Sequence, residues 1–159
     1  MSATTTYNCI LVEGAPESDV LEGTISGTPK PGTLMSMTSA EPTGDGRMTY
    51  GVWTGSANGE QDEVIVLMED RYQGKTKDDA YANGDHGFMY IPEAGDELLV
   101  LLKGATPGNH AIGEKLIIES ASGKLIATAG IPEMEPFKLL ETITGATSDT
   151  LALVRCTGH

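Results

Sequence analysis

The chain has 159 residues, with 10 Lys or Arg against 23 Asp or Glu, a formal charge of −13 at pH 7. A surface of that sign repels phosphate backbones and argues against general nucleic-acid binding, while a hydrophobic content of 39% is that of a globular chain and too high for a disordered one. The longest apolar runs, such as Leu98 to Leu102, fall far short of the ~20 residues a membrane helix needs. The opening MSATTTYNC carries neither a basic nor an apolar region, so no export signal is expected there.

In chain order, the pattern favours strands. A polar arm, Ser2 to Thr6, precedes a short apolar run, Tyr7 to Val12. Val20 to Ile25 alternates loosely, and Thr28-Pro29-Lys30-Pro31-Gly32 is a rigid turn, because each proline fixes its own φ and extends the residue before it. Thr33 to Met37 and Met48 to Trp53 read as strands, and Glu63 to Met68, β-branched and apolar, suits a strand covered on both faces.

The stretch from Glu69 to Asp85 is polar and crowded with charge. Thr76 and Asp79 have the spacing of a helix cap, which predicts a single helical turn over Lys77 to Ala82, followed by a turn at Asn83-Gly84-Asp85. A connection this long in a compact domain usually carries contacts.

The second half repeats one device, a glycine-bearing turn leading into an apolar run: Gly95 before Leu98–Leu102, Gly113 before Leu116–Ile118, Gly123 before Leu125–Ala127. Ser122-Gly123 reads as a two-residue hairpin. Phe137 to Thr144 and Thr150 to Cys156 close the series. Short strands at this spacing predict an all-β barrel or sandwich. The expected organisation is an N-terminal arm over 1–12 and one barrel-like domain over 13–159. Residues 111–159 carry six acids against four bases, the mildest balance in the chain, which makes the C-terminal hairpins the better candidates for packing against a second copy.

Chemical motifs are sparse. Cys9 and Cys156 do not form a disulfide framework and read as reduced thiols. His86, His110 and His159 fall in loops or at the terminus; Cys156 and His159 have a CxxH look, but no second pair supports a zinc site. The acidic loops lack EF-hand spacing, Gly74-Lys75-Thr76 lacks the upstream glycine of a phosphate loop, and no Gly-x-Ser-x-Gly elbow occurs. Asp78 and Asp79 could do acid–base work only in a cleft that desolvates one of them. No catalytic residue, metal or cofactor is expected.

Several stretches, running from about Pro31 to Arg155, resemble the head-decoration, or capsid cement, proteins of tailed bacteriophages. The strongest is Val66 to Tyr81, with its Glu69-Asp70-Arg71, Gly74-Lys75-Thr76 and Asp79-Ala80-Tyr81 pattern, followed by the Gly84-Asp85 turn. Pro92 to Glu97 and the ending, Leu140–Ile143 with Thr150–Arg155, add to it. The resemblance implies a β-tulip-type barrel bound to the outer surface of an expanded capsid, made in the host cytoplasm, with the major capsid protein as partner and self-association as a trimer on the shell. A decoration protein must stay soluble until heads expand, which a high net charge favours. A threonine-rich arm can add a strand to a shell-protein edge. Expected capsid contacts are Thr4, Thr5, Thr6 and Tyr7; expected contacts within an oligomer or with the shell are Arg71, Tyr72, Lys75 and Tyr81. Two rival readings are a virion surface or fibre-base domain binding host glycans through Trp53, and a small hydrolase using Asp78 or Asp79.

Overall fold

The computed structural model describes residues 9–14, 20–38, 46–55, 63–70, 72–127 and 136–158. Among them are eleven strands and no helix: β1 (Leu11–Glu13), β2 (Val20–Ile25), β3 (Leu34–Met37), β4 (Thr49–Val52), β5 (Ile65–Leu67), β6 (His86–Tyr90), β7 (Glu97–Leu102), β8 (Lys115–Glu119), β9 (Lys124–Ala127), β10 (Phe137–Leu139) and β11 (Thr150–Cys156). The chain is all-β, as its spacing of short apolar runs implies.

The strands close into two five-stranded barrels. The first runs β2-β4-β3-β5-β6 and returns to β2; only its β2–β4 pair is parallel. The second runs β7-β11-β10-β8-β9, and a single parallel register pair, Leu102 with Leu125, brings β9 back to β7. β1 adds to β7 through Leu11 opposite Leu98, with a register shift before Glu13. The chain is thus tied to β7 before residue 13.

Side-chain alternation explains how the barrels join. On β3, β5 and β6, Met35, Ile65, Leu67 and Met89 point into the first barrel with Ile25, Tyr50 and Tyr81. Their neighbours Leu34, Val66 and Tyr90 point the other way, into a core shared with Leu98, Leu99, Val100, Phe137 and Val154 of the second barrel. A period of two places successive residues on opposite faces. The wall β3-β5-β6 therefore lies between two cores, which is why β5 is buried on both faces. Main-chain bonds cross the seam: Leu34 N–H to Gly123 O (2.8 Å), Leu101 N–H to Gly32 O (2.9 Å) and Ala121 N–H to Trp53 O (2.8 Å).

Four local expectations are corrected. His86, expected in a turn, opens β6, a strand the sequence reading missed. The β8–β9 connection is four residues, 120–123, because Glu119 pairs with Lys124. The run from Phe137 to Thr144 is a strand only as far as Leu139. Thr76 to Asp79 forms one hydrogen-bonded turn (Asp79 N–H to Thr76 O, 3.1 Å) rather than a helical turn through Ala82.

Candidate interaction surface

The loop between β5 and β6 is polar in composition yet pinned at many points. Asp70, buried, accepts the backbone N–H of Tyr72 (3.0 Å) and Gln73 (3.2 Å) on Oδ1, and its carbonyl accepts the Lys75 N–H (2.8 Å). Such side-chain-to-backbone bonds are how aspartate fixes a turn. Tyr81 turns inward to join the first barrel's core, and its hydroxyl donates to Met68 O at 2.8 Å. Burial, reinforced by the Asp70 carboxylate, pushes this phenol far above its ordinary value. Lys75 Nζ stands 2.5 Å from Asp85 Oδ2 and 5.0 Å from the centre of the Tyr81 ring. Three further bonds tie the loop to the opening of the first barrel: Tyr81 N–H to Pro29 O, Gly84 N–H to Ile25 O, and Gly27 N–H to Asn83 Oδ1.

The Lys75 ammonium, followed by the Ala82 N–H, holds the Asp85 carboxyl below its ordinary value of 3.8. A carboxylate depressed on folding stabilises the fold fully above its unfolded pKa, and that contribution drains away as pH falls through the folded value. We expect the Ala82 amide resonance, reporting its 2.9 Å bond to Asp85, to inflect below pH 3.8 and to lose that inflection in Asp85→Asn. An inflection at or above 3.8 counts against the pairing.

Beside this loop lies an open cleft of about 310 Å³. Its walls come from Leu11 of β1, Val20 of β2, Met68, Glu69 and Tyr72 of the loop, and Phe88 of β6. Glu69 Oε2 accepts the Ile10 N–H at 3.1 Å, fastening the start of β1 to the loop. The Tyr72 and Phe88 rings are 5.9 Å apart and tilted. Tyr72 is 92% exposed, the most open large apolar side chain among the described residues. A second cleft, about 520 Å³, opens between the barrels; of its three charged lining residues Lys124 and Asp149 pair at 2.5 Å, and Lys30 is the third.

The structure separates the residues singled out by sequence. Thr4, Thr5, Thr6, Tyr7 and Arg71 lie outside the described residues. Tyr72 stands at the surface, Lys75 is paired with Asp85, and Tyr81 is core. The cleft walls Leu11, Val20, Met68 and Phe88 were not anticipated, because they meet only once the two barrels close. Cys9 and Cys156 are free thiols, Cys156 fully buried and its thiol pushed up by that burial. Asp78, exposed, pairs with half-buried Lys77, while Asp79 accepts from the N–H and hydroxyl of Thr76, which holds its carboxyl low. Neither acid is desolvated as acid–base work would require. Among the described residues no three His, Cys, Asp or Glu side chains group to hold a metal, and no helix is long and apolar enough to cross a membrane.

The fold of this chain is similar to that of a phage head-fibre base. One similar solved structure is the head fibre gp8.5 N base of bacteriophage phi29, with a TM-score of 0.51 over 86% of this chain and 92% of that one, at 11% sequence identity. At that identity the likeness is one of fold. No protein-family model matches the sequence, and no curated protein does.

Proposed function

We propose that the chain is a structural protein of a tailed-phage virion that binds the outer surface of the expanded head and bridges neighbouring capsomers, holding the shell against internal DNA pressure. The observation that carries this reading is the fold held in common with a phage head-fibre base over most of both chains, alongside the resemblance of Val66–Tyr81 to capsid decoration proteins. The charge of −13 supports it: copies stay apart in solution and gain nothing from packaged DNA. The partner is the major capsid protein, with a trimer as the form on the shell, and neither nucleic acid, membrane nor cofactor is needed.

The mechanism is energetic, with no bond made or broken. One interface of ~800 Å² per partner can be of modest affinity. Many copies on a closed lattice act together, so rupture must break many contacts at once. A rigid two-barrel body with a shared core transmits load between capsomers without unfolding at a linker.

The phi29 likeness also favours a second reading, a base that seats a fibre on the head. Its glycan-binding form has lost its tryptophan, since Trp53 is fully buried. The deciding experiment mixes purified protein with expanded, undecorated heads of the encoding phage and counts bound copies. Saturation at sites between capsomers is the expected result. Saturation at capsomer centres alone selects the fibre base, and an absence of binding at micromolar concentration overturns both.

A further inference from the structure

We propose that the cleft walled by Leu11, Val20, Met68, Tyr72 and Phe88 is the grip on the shell protein, and that it takes an extended segment bearing one apolar anchor with a lysine or arginine beside it. This rests on the capsid-binding reading above.

Three observations carry it. First, Tyr72 is held out on purpose-built scaffolding: the buried Asp70 carboxylate fixes the Tyr72 and Gln73 N–H groups, and the Lys75 N–H closes the turn on the Asp70 carbonyl. A large aromatic that is 92% exposed on a turn so tightly bonded loses little conformational entropy on binding. Such side chains are the usual centres of interface energy. Second, the cleft is apolar where its floor lies, and Val20, 39% exposed, extends that surface onto β2. Its volume of about 310 Å³ is at the small end of binding pockets, enough for an anchoring side chain and too little for a folded element.

Third, the exposed charge that the described residues bring beside it is acidic. Glu22 stands opposite Phe88 across the β2–β6 pairing with its side chain 57% exposed and His86 Nε2 3.4 Å from its carboxylate, while Glu69, in the lining, is buried and bonded to the Ile10 N–H. No described lysine or arginine lines it. Residues 61–110 carry ten acids against four bases, so the surrounding field is negative too. A second copy of a chain at −13 would bring more acid to this place, whereas a basic segment of another protein complements it.

The test measures binding of wild type and variants to expanded, undecorated heads, with self-association followed in parallel by sedimentation. Tyr72→Ala is expected to weaken head binding about 30-fold with an unchanged melting temperature, and Tyr72→Phe to restore it. Met37→Ser, removing a side chain 51% exposed elsewhere, is expected to bind as wild type. Glu22→Lys is expected to slow association several-fold, as raised salt does for wild type. If wild type binds and Tyr72→Ala binds equally well, the grip is elsewhere and the proposal is overturned while the capsid reading stands. If Tyr72→Ala disturbs self-association alone, the cleft belongs to a second copy and the proposal is likewise overturned. If wild type binds no head, the capsid reading itself fails and takes this one with it.

Discussion

Replacing Gly123 by alanine is expected to destabilise the protein by about 3–4 kcal/mol, a cost that combines backbone strain with a collision. Gly123 adopts φ +62°, in the left-handed region that favours glycine. The added methyl carbon would stand 2.3 Å from the Leu34 carbonyl oxygen and 2.8 Å from Thr33 Cγ2. The first of these is main chain and cannot swing aside. The Gly123 carbonyl also accepts the Leu34 N–H at 2.8 Å, so the collision falls on a bond that joins the two barrels. Gly74→Ala is the matched control: its φ is +71° and nothing lies within 4 Å of the new carbon, so about 1 kcal/mol is expected there. Urea unfolding of the two variants checks the difference; equal costs would mean that the seam yields freely.

Trp53→Ala is expected to cost about 4 kcal/mol, in the range for emptying a buried aromatic site. Trp53 follows β4, is fully buried and packs in the shared core with Leu34, Val64 and the strands of the second barrel. Its backbone is bonded on both sides, N–H to Leu34 O (3.0 Å) and carbonyl to Ala121 N–H (2.8 Å), so the surroundings have little freedom to collapse into the space. Trp53→Phe keeps most of the volume and is expected to lose ~1–2 kcal/mol. Because the tryptophan is also the fluorophore, circular dichroism under urea is the appropriate readout. A loss of under 1 kcal/mol for the alanine variant would show that the shared core is loosely packed.

What could be read from sequence depended on how local its cause is. β11 was legible to its ends, because Thr150–Cys156 is an uninterrupted run between a polar turn and the Thr157-Gly158 exit. β5 was legible as a strand covered on both faces, since only such a strand tolerates consecutive Ile65-Val66-Leu67. β6 was missed because His86 and Gly87 look like a turn after Asn83-Gly84-Asp85. In the fold Gly87 is a packing requirement: a Cβ there would lie 2.6 Å from the Ile25 side chain and 3.3 Å from the Tyr81 ring. The division into two barrels was not legible at all. It rests on pairings between distant segments, β2 with β4 past an intervening strand and β7 with β9 through one residue pair.

The candidate surface followed the same rule. The loop from Glu69 to Asp85 stood out in sequence, but nothing in it distinguishes Tyr72, which faces solvent, from Tyr81, which fills the first barrel. That choice is made by Asp70 on one side and by the Lys75–Asp85 pair on the other. The cleft draws walls from β1, β2 and β6, so no window of sequence could contain it.

The placement of β11 has a consequence for how the molecule comes into being. The last of the described strands is an interior one, seated between β7 and β10 with six registered pairs to the former and three to the latter. A nascent chain cannot close its second barrel, or cover the outward face of β5, until the ribosome has delivered Cys156. Fragments released early would expose the Leu98–Leu102 ridge and invite degradation, so only chains that carry β11 would accumulate.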